Sequence, residues 1–546
     1  MSCELQGFLA TLHRPEAAQA ECLLERIVHP NRDCEFGRRH RFEAIRTVRD
    51  FRQAVPLATY EDLRESVDRM AAGQSGVLVS EPVRHFFITS GTTSASKLVP
   101  VTRAFMRDKI RALAVYWEAV DQRHPGLGQG RVTTNFADSG SFTRTSGGIP
   151  CSSESAFWAR MTAATRQRSH FVPPAALSAV ADGDARYYLL ARLLLEEDLT
   201  MLMSLNPSTI LVLLRKIEEL ADPLLDDLER GELSPELAIA PEVRRAVTDR
   251  CRAHPERARR IRRALRPATP RFHAADLWPR LAVIVSWQSS MQRTYLEMLA
   301  PYVASIPHDD YPTMASEGVI AIPLADPGAG AVLAADVHFF EFIPEEQAED
   351  ANPETLLAHQ LELDRRYVVV LSTTGGLYRY NIGDVVRVRG FAGAAPRLEF
   401  LYRTGATCSL TGEKLTEEQV SSAMAAAVRR SRLGVVAFTA QPAAEGFPRY
   451  LFLVEFERPQ DRGRAKALLA AIDRELGRCN VEYRAKRSAQ RLAPPELWIV
   501  RPHGYAALRR RRVAAGANDE QIKPAVLSRD PAFHRDLEIG ERIRAD

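Results

Sequence analysis

The sequence predicts an α/β protein made of a large N-terminal unit followed by a smaller one. Three observations carry this. The 546 residues exceed what one hydrophobic core usually organises. Helical patterning dominates the first half, whereas short apolar runs bounded by turn residues dominate from Leu281 onward. Beyond Arg403 the pattern restarts on a smaller scale, with strands around one long helix.

The elements follow in chain order. Residues from about 15 to 73 are helical in pattern, with Thr59 as an N-cap ahead of Glu61 and Asp62, and Gly73 as a stop. His85–Thr89 reads as a strand; a hydroxyl-rich loop and then a helix from Arg103 to about Gln122 follow it. Residues 186–232 read as helix, interrupted at Asn206-Pro207, where proline suits the first turn of a new helix. Val243 to Leu265 reads as one arginine-rich helix ending before Pro267.

The runs Leu281–Ser286, Gly318–Ile322, Val332–Ala335, His338–Ile343, Tyr367–Ser372 and Val385–Arg389 read as buried strands. In the smaller unit, strands are expected near Gly434–Thr439, Tyr450–Glu455 and Trp498–Arg501, with a helix near Asp461–Gly477. The boundary falls between Arg403 and Thr411, giving domains over 1–405 and 406–546. Residues after about Asp530 read as a surface tail.

A hydrophobic fraction of 45% and a charged fraction of 26% fit a soluble globular protein, and a net charge of +4 implies no polyanionic partner. Arginines cluster at Arg257–Arg266 and Arg509–Arg512, but no stacking aromatics are interleaved with them, so a solvated helix face is preferred over a nucleic-acid surface. The seven cysteines are scattered with no metal-like spacing, which fits a reducing cytoplasm. The N-terminus lacks the pattern of a signal peptide, and no apolar run approaches the ~20 residues that span a bilayer. A soluble cytoplasmic protein without a membrane partner is therefore expected.

Two loops nearly three hundred residues apart carry the chemistry. Thr89-Ser90-Gly91-Thr92-Thr93-Ser94-Ala95-Ser96-Lys97 gathers hydroxyls, a glycine and a lysine behind a strand, a combination suited to phosphate oxygens. It lacks the second glycine of a Walker loop, and taken alone it is also compatible with a plain turn. Leu377-Tyr-Arg-Tyr-Asn-Ile-Gly383-Asp384 places a carboxylate beyond a glycine turn, where Asp384 could accept hydrogen bonds from two sugar hydroxyls. Ser316-Glu317 at a strand entrance offers a carboxylate for Mg²⁺, which favours one or two carboxylates plus phosphate oxygens. A last loop, Gly516 to Pro524, presents Lys523. Gly-x-Ser-x-Gly and His-Glu-x-x-His are both absent. His308 and His338 read as packing or hydrogen-bonding residues rather than bases.

From about residue 20 to residue 530 the chain resembles the acyl acid–amido synthetases first known as plant auxin-responsive proteins, and their bacterial relatives. The likeness runs through Cys34–Gly37, Val55–Asp62, Ser90-Gly-Thr-Thr93 with Lys97 and Pro100, and Asn206–Thr209. It continues through Trp278-Pro279 with Trp287, Ala315-Ser-Glu-Gly318, Phe339–Pro344, Gly376–Tyr380 with Gly383-Asp384, Gly412–Thr416 and Gln521–Pro524. The resemblance implies the adenylate-forming, luciferase-like α/β fold with a mobile C-terminal domain. It also implies condensation of a carboxylic acid with an amine, with an amino acid as the expected amine, at the expense of ATP with Mg²⁺.

By the same resemblance Ser90, Gly91, Thr92, Thr93 and Lys97 hold the ATP phosphates, and Ser316 and Glu317 contact the α-phosphate and the metal. Asp384 binds the ribose, Arg403 lies at the hinge, and Lys523 reaches the α-phosphate and acyl carboxylate during adenylation. The sequence departs from the family pattern at Ala95, at Ser289-Ser290 and at Thr313, where a glycine, a glycine pair and an adenine-stacking aromatic are usual. A thioester-forming ligase acting on CoA or a carrier protein is the alternative enzyme. A non-catalytic nucleic-acid-binding or scaffold protein is the alternative class.

Overall fold

The computed structural model describes all residues apart from 1–2, 90–96, 134–141, 165–169, 181, 268–269, 289–291, 325–327, 351, 405–406, 409, 412, 414, 444–447, 489–491, 515–524 and 545–546. Its helices and mixed sheets give the expected α/β class.

The N-terminal helices are shorter than a continuous pattern suggests. Helices such as Val48–Ala54 and Tyr60–Ala71 each start from a threonine capping box, on Thr47 and Thr59, as the Thr59 reading requires. Gly73 follows with φ +98°, a backbone that glycine adopts without strain.

Five parallel strands, in the order His170–Phe171, Arg131–Thr133, Leu199–Met203, Val283–Ser286 and His308–Asp310, form one sheet. Leu199–Met203 corrects the reading of 186–232 as interrupted helix. All five residues of that strand are buried, and such a run has no period that distinguishes strand from helix. The arginine-rich helix is likewise two helices, Pro241–Thr248 and Pro255–Ala264, because Pro255 starts a new first turn.

A seven-stranded antiparallel sheet has the order Thr313–Ala315, Gly318–Ile322, Ala331–Leu333, Ala395–Arg403, Tyr380–Ala392, Arg366–Ser372 and Phe339–Pro344. Phe51, Phe86, Phe105, Phe340 and Tyr378 share its largest apolar core with the N-terminal helices. A smaller four-stranded sheet contains the hairpin of His85–Thr89 with Lys97–Val101. The second strand of that hairpin interrupts the expected strand–loop–helix, and the helix begins at Arg103.

A separate core draws on residues from Cys408 to Ile543, around the strands Val435–Pro442, Tyr450–Phe456, Glu496–Val500 and Ile539–Arg544. Its helices Glu417–Ser431 and Arg462–Cys479 pack together. The strand Ile539–Arg544 corrects the surface-tail reading: Ile543 is buried and faces Leu497. Polar pairs join this part to the rest. Arg429 Nη1 lies 2.7 Å from Glu297 Oε1, and Arg215 pairs with Glu457. All seven cysteines are free, and among the described residues no helix is long and apolar enough to cross a membrane.

Candidate active site

Two strand turns, at Ser316-Glu317 and at Gly383-Asp384, bring expected residues together, and Lys97 begins the strand that lies against Tyr60 beside them. Carboxyl ends of parallel strands are the usual place for a ligand crevice, because their connections diverge there. Asp310 closes the last of them: its Oδ1 accepts from the backbone N–H of Gln288 at 3.0 Å and of Tyr311 at 2.9 Å. Burial pushes the Asp310 carboxyl up to about 7.

Ser90, Gly91, Thr92 and Thr93 lie outside the described residues, as do Ala95, Ser289 and Lys523. The strands on either side of the first loop are fixed, with Thr89 opposite Lys97. The Lys97 ammonium sits 5.3 Å from the centre of the Tyr60 ring. Tyr60 also clamps the next residue, accepting from Leu98 N at 2.7 Å and donating to Leu98 O at 3.2 Å. The segment before Tyr60 is tied to the third loop: Ala58 N donates to Arg379 O at 3.0 Å, and Asn381 N donates to Ala58 O at 2.8 Å.

Ser316 and Glu317 form the tip of a two-residue hairpin, with Ala315 opposite Gly318. Glu317 is only 4% exposed, yet its carboxylate has no hydrogen bond or ion pair among the described residues. Its charge is felt at Tyr60, Lys109, Tyr380 and Arg403, which surround it. A carboxylate with acceptor capacity left over among the described residues is chemically suited to a hard cation. No cluster of three or more His, Cys, Asp or Glu side chains that could hold a metal occurs among the described residues. Mg²⁺ bound mainly through phosphate oxygens needs one carboxylate from the protein, and Glu317 fits that requirement.

Asp384 sits on a bulge in the strand Tyr380–Ala392, opposite Arg403. Gly383 makes the bulge with φ +79°; a Cβ there would lie 2.7 Å from Thr404 Oγ1. Asn381 Oδ1 accepts from Gly383 N at 2.9 Å and completes the turn. Asp384 is 5% exposed, and Arg403 Nε donates to its Oδ1 at 2.6 Å. That carboxylate raises the guanidinium above its ordinary range. The structure therefore brings Lys97, Ser316, Glu317, Asp384 and Arg403 around Tyr60 and Tyr380.

The chain matches the GH3 family N-terminal domain over residues 4–308, the central domain over 331–403 and the C-terminal domain over 418–532. The chain belongs to the GH3 family. An indole-3-acetic acid-amido synthetase of Oryza sativa subsp. indica is 27% identical over 508 residues, covering 87% of this chain and 82% of that protein. A jasmonoyl-L-amino acid synthetase of Nicotiana attenuata is 25% identical, covering 92% of this chain and 89% of its own length. The solved structure of an acyl acid amido synthetase in complex with 2,4-DB superposes with a TM-score of 0.84 at 21% identity, over 99% of this chain and 97% of that one. The chain shares the fold of that synthetase, and the expected α/β class is borne out.

Several family motifs serve the scaffold. Arg379, at φ +43° and 7% exposed, donates twice to Glu341 at 2.8 Å, and also to Val55 O at 2.8 Å and Arg52 O at 3.0 Å. It thereby locks the N-terminal segment to the seven-stranded sheet. Trp278 is buried and donates to Leu194 O at 2.9 Å. Tyr311 packs edge-on against Tyr116 at 5.4 Å, so its ring belongs to the core, while Thr313 is half-buried at the hairpin start. His308 bonds Ser286 Oγ at 2.8 Å, and burial lowers its pKa to about 4. His338 is fully buried and held neutral by desolvation.

Sequence reasoning missed Lys109 and Glu154. Lys109 Nζ is fully buried beneath the hairpin tip, 2.6 Å from Glu154 Oε1, and burial lowers its pKa. A lysine on an amphipathic helix normally faces solvent, so no sequence signal marked it. The arginine cluster over Arg257–Arg266 is largely engaged: Arg262 pairs with Asp226 and Glu229, Arg266 lies 3.1 Å from Asp276, and Arg257 donates to Glu197 O at 2.6 Å.

Proposed function

We propose that this chain is an ATP-dependent ligase that activates a carboxylic acid as acyl-AMP and passes the acyl group to an amine, forming an amide. Amino acids are the preferred amine class, since relatives are named as amido synthetases of indole-3-acetic acid and of jasmonoyl–amino acid conjugates. The observation that carries the reading is the Glu317 carboxylate, 4% exposed and without a hydrogen bond or ion pair among the described residues, close enough to the Asp384–Arg403 pair for its charge to be felt at Arg403.

A carboxylate is a poor acylating agent because its leaving group is oxide. Attack of the carboxylate oxygen on the α-phosphorus of ATP forms the mixed anhydride and expels pyrophosphate. The amine then attacks the acyl carbonyl, AMP leaves, and the amine proton passes to solvent. Mg²⁺ supplies neutralisation of the phosphate charge. In this scheme Glu317 is its protein ligand and Asp384 accepts the ribose hydroxyls. Lys97 and the Ser90–Thr93 loop face the phosphates, and Ser316 the α-phosphate. Lys523 stabilises the charge that develops there during adenylation. Arg403 orients Asp384.

Residues 1–405 then act as the adenylation domain and 406–546 as a mobile domain that delivers Lys523. The polar character of the Arg429–Glu297 and Arg215–Glu457 contacts favours such a mobile interface. Free cysteines throughout are in keeping with a reducing cytoplasm.

The test incubates the protein with ATP, Mg²⁺, a panel of aryl, indolyl and fatty acids, and either mixed amino acids or CoA. An acyl–amino acid amide released with AMP supports the reading. A thioester as the sole product would replace it.

A further inference from the structure

Among the described residues, the hairpin tip that carries Glu317 has one polar hold from beneath. Lys109, on the helix Arg103–Arg123, donates to Ala315 O at 2.9 Å and to Ser316 O at 3.4 Å. Its remaining proton goes to Glu154 Oε1 at 2.6 Å, and that oxygen also accepts from Trp158 Nε1 at 3.1 Å. The ammonium is fully buried and flanked by the rings of Phe87 at 5.3 Å and Phe105 at 5.5 Å. On the adjoining side the tip rests on His338, so closely that a Cβ at Gly318 would lie 2.9 Å from the ring Nε2. Neither ring nitrogen of His338 has a partner among the described residues, so that side offers contact but no hydrogen bond.

An apolar side chain would fill the Lys109 space without desolvating a charge. What it could not do is bond two consecutive carbonyls of the turn. We propose that Lys109 is a positioning residue, whose ammonium fixes the Ala315–Ser316 backbone at the height at which Glu317 meets the metal–phosphate group of its ligand. This rests on the function proposed above. Glu154 neutralises the ammonium and is not itself required at the tip. The arrangement parallels partners that orient metal ligands from behind, whose loss typically costs about 10- to 100-fold in metal affinity or activity.

The experiment compares wild type with Lys109→Met, Glu154→Gln and the double variant. ATP binding is measured by calorimetry with Mg²⁺ and with EDTA, and thermal melting is followed in parallel. Wild type binds ATP more tightly with Mg²⁺, and Lys109→Met loses most of that difference, about 10-fold or more. Glu154→Gln, whose amide oxygen can still accept from the lysine, keeps the bonds to both carbonyls and stays close to wild type in the Mg²⁺-dependent part of binding, while losing melting temperature because the buried ammonium lacks its counter-charge. The double variant removes the orphaned buried carboxylate, so it recovers melting temperature and serves if Lys109→Met does not fold. It remains deficient in the Mg²⁺-dependent part of binding. A Mg²⁺ response unchanged in the lysine variants overturns the proposal, as does an equal loss in Glu154→Gln. A wild type that binds ATP equally with Mg²⁺ and EDTA overturns the metal assignment to Glu317 and the role of Lys109 together. Normal wild-type behaviour with normal variants overturns the role of Lys109 alone.

Discussion

Replacing Asp384 by alanine should weaken ATP binding while leaving the fold nearly intact. The carboxylate is 5% exposed, and one oxygen is already held by Arg403 Nε at 2.6 Å. Ribose hydroxyls donating to this charged acceptor should each gain from a charge-assisted bond, worth about 1.5–3 kcal/mol net. Losing one such bond raises the ATP Kd roughly 10- to 150-fold. Arg403 keeps 38% of its side-chain surface in solvent, so water can take over from the lost carboxylate. The stability cost of that ion pair is therefore about 1 kcal/mol or less. Calorimetry with ATP and with 2′,3′-dideoxy-ATP separates the effects. Wild type should discriminate against the dideoxy nucleotide, and Asp384→Ala should bind both equally weakly. A variant that still discriminates, or that binds ATP as wild type does, would refute the ribose assignment.

Two further outcomes are expected. Arg379→Met should destabilise the protein by about 3 kcal/mol, the lower end for breaking a buried pair, because Arg52 Nε at 3.2 Å and the Thr355 hydroxyl remain on Glu341. Urea unfolding followed by tryptophan fluorescence reads this, and a loss below about 1 kcal/mol would count against the clamp. Asp310 supplies a pH signature, since burial raises its carboxyl to about 7 from an ordinary 3.8. Between those values the folded chain holds a proton that the unfolded chain releases, so its contribution to stability falls as pH rises. Asp310→Asn should therefore gain melting temperature on wild type between pH 5 and pH 8; a constant difference would contradict the shift.

The α/β class and the turns at Ser316-Glu317 and Gly383-Asp384 were legible in the sequence because each turn pairs a glycine or small residue with a polar side chain at a strand end. Elements whose pattern was ambiguous were not. Lys97–Val101 contains Pro100, which argues against a strand until the edge position beside Phe86 is seen. Leu199–Met203 is apolar throughout and joined its helical neighbours by composition. Ile539–Arg544 alternates mostly exposed residues around one buried isoleucine, too weak a stripe to separate from a tail. Arg379 stood inside a motif read for its chemistry, yet its bonds to Glu341 and the Val55 carbonyl make it a clamp. Lys109 was hidden because its function depends on a carbonyl pair more than two hundred residues away, a long-range packing relation that local periodicity does not carry.

Acid-dependent exchange of labelled pyrophosphate into ATP tests the central claim most directly, because it reports acyl-AMP formation without any amine. Exchange should need Mg²⁺ and one class among aryl, indolyl and fatty carboxylic acids, and should fall in Asp384→Ala. ATP binding with no exchange from any acid in the panel would contradict the claim.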